Sequence, residues 1–139
     1  MDSLQRFLDA QAPVYTEVLA ELRAGRKTSH WMWFIFPQLR GLGRSSMAQH
    51  YGLASRVEAL AYLQHPVLGA RLKECMGCLL AHQDLSAEDI LGDIDAMKLR
   101  SCATLFAAAA PQEPLFQRVV AQFYAGQPCH RTLDLLDRP

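Results

Sequence analysis

From one end of this chain to the other, apolar residues recur at three- and four-residue spacing, and each such stretch is punctuated by proline, glycine or a capping side chain. That spacing is the helical period, so each stretch has one face to bury against another helix. Leu4, Phe7 and Leu8 make the first stripe, with Asp2 and Ser3 available as caps. Pro13 suits a first helical turn, Val14, Val18, Leu19 and Leu22 share a face, and Gly25 stands where that helix should end. Ser45 or Ser46 can cap a short helix through Met47 and Tyr51. Ser55-Arg-Val-Glu58 reads as a capping box opening a helix that turns Val57, Leu60, Ala61 and Leu63 inward.

His65-Pro66 interrupts the chain, because the residue before proline avoids helical geometry while proline starts a helix well. The next helix runs from 66 to 82 on a stripe of Leu68, Leu72, Cys75, Leu79 and Leu80. Ser86-Ala-Glu-Asp89 begins a short turn ending near Gly92. The most apolar helix follows, from 93 to 110, carrying Ile94 through Met97, Leu99, Ala103, Leu105 and Phe106, and it is expected at the centre. Pro114 and Gly126 bracket a helix with Leu115, Phe116, Val119, Val120 and Phe123, and Arg131 or Thr132 begins a last one through Leu136. The expected fold is all-α, a single compact orthogonal helical domain of about seven to nine helices over residues 1–139.

Composition narrows the functions available. Fourteen Lys plus Arg balance fourteen Asp plus Glu, so no global field draws in a polyanion and nucleic-acid binding is disfavoured. No run approaches the roughly 18 apolar residues of a spanning helix, which argues against a membrane. The start Met-Asp-Ser-Leu-Gln-Arg-Phe7 lacks the basic and apolar regions of a signal peptide, so a cytoplasmic location is expected. Cys75-Met-Gly-Cys78 falls inside a helical stripe, and Cys102 and Cys129 stand alone, which favours reduced packing residues over a redox pair and leaves no metal site expected. No cofactor is implied.

The segment Trp31-Met-Trp-Phe-Ile-Phe36 places four aromatics in six residues. Each can bury on the order of 150 to 250 Å², enough to anchor a core without any ligand. As an extended stretch, however, it would point Trp31 and Trp33 one way and Met32 and Phe34 the other, with one face lining a groove. Both readings stand at this level. The tail that follows, from Gln38 through Arg40, Gly41, Gly43, Arg44 and Ser45 to Ser46, combines glycines that permit close approach, two arginines and hydroxyls at a helix start. Phosphate or carboxylate could bind there, although the spacing is neither that of a P-loop nor of a Rossmann turn. Asp95 and Lys98 are helical neighbours near the start of the most apolar helix, where polar groups are expected to border a pocket, and they are the candidate catalytic pair. Trp31, Trp33, Gln38, the 40–46 tail and Tyr51 are the candidate ligand contacts. His30 and His65 sit at element boundaries and read as structural. No Ser-His-Asp arrangement, HExxH pair or paired carboxylates is present by spacing.

Three collinear motifs carry a family resemblance: Trp33-Phe-Ile-Phe-Pro-Gln-Leu39 with Gly41-Leu-Gly43 and Ser45; Ala61-Tyr-Leu-Gln-His-Pro-Val-Leu-Gly69 with Arg71-Leu72; and Ile90-Leu-Gly-Asp-Ile-Asp95, Lys98-Leu-Arg-Ser101 and Thr104-Leu-Phe106. Together they resemble the bacterial DUF1810 family over nearly the whole chain. The resemblance implies an all-α fold and no assigned activity. The family pattern often has an acidic residue after the Gly126 turn, where this chain has Cys129. The central helix with Lys98 and Thr104-Leu-Phe106, followed by Phe123, Gly126 and Thr132-Leu133, is also faintly similar to the all-helical NADAR proteins, which act on ADP-ribose-type N-glycosides.

Two function classes follow. In the first, a phosphate-bearing small molecule such as a nucleotide or ADP-ribose is bound or hydrolysed: Trp31 or Trp33 stacks on a base, the 40–46 tail holds phosphate, and Lys98 with Asp95 moves protons. In the second, the chain is a non-enzymatic module that uses the aromatic segment to bind a partner or itself. The oligomeric state is not readable from the sequence.

Overall fold

The computed structural model describes residues 4–137, which form ten helices and no strand among the described residues. They are α1 (Gln5–Gln11), α2 (Tyr15–Ala24), α3 (Met32–Ile35), α4 (Ser46–Tyr51), α5 (Arg56–Gln64), α6 (Leu68–Leu80), α7 (Ala87–Leu91), α8 (Asp93–Ala109), α9 (Leu115–Tyr124) and α10 (His130–Leu136). The expected all-α class holds. The helix beyond the expected range is α3, because the aromatic segment closes into one helical turn rather than running extended. Phe36 N donates to Met32 O at 3.1 Å across it. A turn scatters side chains around an axis, so Trp31, Met32, Phe34, Ile35 and Phe36 are all buried and only Trp33 reaches part-way to solvent. The two-faced arrangement expected of an extended stretch is therefore absent. Asp2 and Ser3, the expected first caps, lie outside the described residues.

The central position of α8 follows from its composition. Leu99, Cys102, Ala103, Leu105 and Phe106 are fully buried, and their mix of small and large side chains lets α5, α9, α7 and α10 pack against one helix. Tyr62 of α5 bridges Phe106, at 5.6 Å between ring centroids, and Phe7 of α1, edge-on at 5.0 Å. Burying such a ring is worth roughly 1.5–3 kcal/mol. Gln11 is the polar pin of this core: its amide nitrogen donates to Phe34 O (2.7 Å) and Tyr62 Oη (2.9 Å), and its carbonyl accepts from Arg71 (3.3 Å). α1 is thereby fixed against α3 and α6.

The ends obey local chemistry. Gly25 closes α2 at φ 75, and Ser45, Ser55 and Ser86 each accept the backbone N–H three residues on. The capping box is complete at Ser86 and Asp89. At Ser55 the Glu58 carboxylate also takes Ala54 N, at 2.8 Å. Two residues expected inward on α5 are corrected: Val57, 77% exposed, and Ala61 both face solvent, since α5 turns Ala59 and Tyr62 to the core. On the most apolar helix, Ile94 and Met97 are each 71% exposed, since α8 buries the face of Ala96 and Leu99. Between α3 and α5, Leu39 and Leu53 form a single parallel bridge, with Leu53 N donating to Gln38 O (2.9 Å) and Arg40 N to Leu53 O (2.7 Å). No described helix is long and apolar enough to cross a membrane.

Candidate functional site

Gly92, at φ 87, turns the chain from α7 into α8 and sets Asp95 and Lys98 on the first turns of the central helix, facing α3. Asp95 is held between two ammonium groups, Lys27 Nζ at 2.9 Å and Lys98 Nζ at 3.4 Å. Lys98 Nζ in turn lies 3.7 Å from the centroid of the Trp33 ring, and Lys27 Nζ lies 5.0 Å from that of Trp31. A cation over an indole face is attracted by the ring quadrupole, so each lysine is fixed from two sides. The Trp31 indole N–H donates to Glu21 at 3.1 Å. Burial opposes the charge of Glu21, but the donors Ser29 Oγ, Thr28 N, Ser29 N and Trp31 outweigh it and bring its carboxyl down to about 2.

Lys98 opens onto a cavity of about 370 Å³ between α8, the Gln38–Leu42 loop and the start of α10. Its wall carries Lys98, Arg100 and Arg131 together with His130, and no acidic side chain lines it. Gln38 and Ser101 add neutral polar groups, while Ile94 and Met97 supply an exposed apolar rim. A basic wall in a protein of zero net charge is a local arrangement suited to an anion with an apolar portion.

The other candidate residues are not all brought to this cavity. Trp31 is 1% exposed, so it has no face to offer a ligand. Trp33 has one face under Lys98 and lines, with Gln38, Leu42, Gly43 and Tyr51, a narrow crevice of about 10 Å³. Tyr51 packs its ring on Phe34, Phe7 and His50. Arg40 donates to Gly52 O at 3.0 Å and shares an open cleft with Gly41, Gly43 and Gln49 on another side of the loop. Ser45 Oγ accepts from Ala48 N, the carbonyl of Arg44 accepts from Gln49, and Ser46 is exposed at the start of α4. Gln38 is the one candidate contact of the 38–46 tail that meets Lys98 at the cavity wall, where Leu42 of the same tail joins it.

Arg100, Ser101, Cys129, His130 and Arg131 line the cavity without having been among the candidate site residues. Ile94, Met97 and Ser101 are spaced three and four apart, off the phase of Ala96, Leu99 and Ala103, and that second stripe was the available signal. For Cys129 the signal was its place after the Gly126 turn, where the family pattern often has an acidic residue. Its backbone N–H donates to Thr104 Oγ1 (2.9 Å), and Ser101 Oγ donates to its sulfur at 3.3 Å. Burial raises its thiol, but the hydroxyls of Ser101 and Thr132 and the N–H groups of Thr132 and Arg131 prevail and hold it below the usual thiol range. Cys75 behaves oppositely, pushed up to about 12 by burial among apolar neighbours. All four cysteines are free, and the described residues contain no cluster of three metal-ligating side chains.

An all-helical fold around a central helix, with a basic cavity at that helix's start, defines the class. The chain belongs to the family described as Protein of unknown function (DUF1810), whose model matches residues 1–136. It is similar, at 52% identity and a TM-score of 0.96, to the crystal structure of the conserved hypothetical protein Rv1873 from Mycobacterium tuberculosis, over 98% of this chain and 97% of that one. No curated protein matches it at a significant level. These matches show no relationship to the NADAR proteins.

Proposed function

We propose that this chain binds a small phosphate-bearing molecule of the nucleotide or ADP-ribose type in the cavity beside α8, with Lys98 as its principal anion contact. The observation that carries this reading is the lining: each charged side chain on the wall is basic, and two large apolar side chains stand exposed at the rim. The phosphate meets Lys98 and Arg131, and the flat apolar part of the ligand covers Ile94 and Met97. Asp95 lies outside the lining and acts as a positioning residue, sharing its two oxygens between Lys27 and Lys98.

The reading is tested by melting the protein with a panel of inorganic pyrophosphate, nucleoside diphosphates and ADP-ribose. A ligand at a hundred times its Kd stabilises by roughly 2.7 kcal/mol, which raises Tm by several degrees. The rise should vanish in Lys98→Met and shrink in Arg131→Gln. No response to any member of the panel would sink the proposal and leave the exposed Ile94 and Met97 to the interaction-module reading.

A further inference from the structure

The cavity wall carries one thiol, Cys129, and its sulfur is met by hydrogen-bond donors. Ser101 Oγ points at the sulfur from α8 at 3.3 Å. Thr132 Oγ1, fully buried three residues on, has no partner at full hydrogen-bond geometry among the described residues, and the Cys129 sulfur is the acceptor toward which its proton can turn. A hydroxyl so placed is costly unless an acceptor arrives. A protonated thiol is a weak acceptor, whereas a thiolate satisfies several donors at once. Around the sulfur, the charged and titratable groups on the wall are Lys98 and Arg100 from α8 and His130 and Arg131 from α10.

We infer that Cys129 is a modification site of the cavity, taking a small anionic disulfide into mixed-disulfide linkage and thereby closing the anion site. The inference rests on the proposed anion-binding function for its preference for charge, though not for the reactivity of the thiol. In the step, the Cys129 thiolate attacks one sulfur of the incoming disulfide and forms a new S–S bond. The original S–S bond breaks, and its electron pair leaves on the second sulfur as a free thiolate that takes a proton from water. The disulfide is the oxidant. One half of it stays on the protein, its carboxylates against Lys98 and Arg131.

The test compares two disulfide probes on the intact protein, the dianionic 5,5′-dithiobis(2-nitrobenzoate) and the neutral 4,4′-dithiodipyridine, with labelled peptides mapped by mass spectrometry. Cys129 should be labelled at least tenfold faster than Cys78, which is also partly exposed, with both probes. Relative to the neutral probe, the anionic one should gain several-fold at low salt, and that gain should be lost in Lys98→Met and Arg131→Gln. Ser101→Ala should slow both probes alike, and Cys129→Ser should remove the fast phase. Labelling of Cys78 at an equal or greater rate overturns the inference. A fast Cys129 with no preference for the anionic probe overturns its anionic specificity and counts against the binding proposal, whereas a melting response to phosphates with a slow Cys129 leaves that proposal standing and overturns this one.

Discussion

The ammonium of Lys98 lies 3.7 Å from the centroid of the Trp33 ring while its other side faces Asp95 at 3.4 Å, so the side chain is clamped between a π face and a carboxylate at the wall of a cavity. Such a clamp costs a flexible lysine its rotamer freedom before any ligand arrives. It also couples the two residues energetically. Lys98→Met should lower stability by about 0.5–2 kcal/mol, and a double-mutant cycle with Trp33→Leu should return a coupling on the order of 1 kcal/mol. Denaturant unfolding of the four proteins of the cycle measures it, and additive effects would show that the contact contributes nothing.

Glu21 supplies a pH signature on the other side of the same layer. Its carboxyl titrates near 4.5 when the chain is unfolded and near 2 when folded, so the proton binds the unfolded state more tightly. The resulting stability is fully present above pH about 4.5 and is lost as the pH falls toward about 2. Discounted for the solvent that reaches the carboxylate, it amounts to about 1–2 kcal/mol. Glu21→Gln should lose that amount at pH 6 and show a flatter stability profile between pH 4.5 and 2.5. An unchanged profile would mean that other carboxylates set the acid limb.

Two glycines of α6 should respond in opposite directions to the same substitution. At Gly69 a methyl group would strike the carbonyl of Leu63, backbone that cannot step aside, and Gly69→Ala should cost about 2–4 kcal/mol. Gly77 is exposed in mid-helix with nothing within 4 Å of an added Cβ, so Gly77→Ala should gain about 0.5–1 kcal/mol. Thermal unfolding of the two variants decides, and a loss at Gly77 would contradict the packing described for α6.

Helix positions were readable because caps are local: Gly25, Ser45, Ser55 and Ser86 act within one turn of themselves, and each ends or starts a helix as the sequence indicates. Facing was harder. Val57, Ile94 and Met97 are apolar yet exposed, because which stripe of a doubly apolar helix is buried depends on the neighbour it meets, and that neighbour is distant in sequence. The aromatic run misled for a related reason, since a period of two cannot be told from a single helical turn when both phases are apolar. Lys98 and Asp95 were legible as a pair at i, i+3. Their partners were not: Lys27, between α2 and α3, and Trp33 of α3 reach them from segments distant in sequence, and Cys129 joins Ser101 from 28 residues away.

The proposed binding of an anion in the basic cavity beside α8 is tested most directly by a crystal of the protein soaked with inorganic pyrophosphate and then with ADP-ribose. Phosphate density within hydrogen-bond reach of Lys98 and Arg131, absent from a Lys98→Met crystal treated alike, is the predicted result. Density in the Arg40–Gly43 cleft instead, or an empty cavity at saturating ligand, would contradict it.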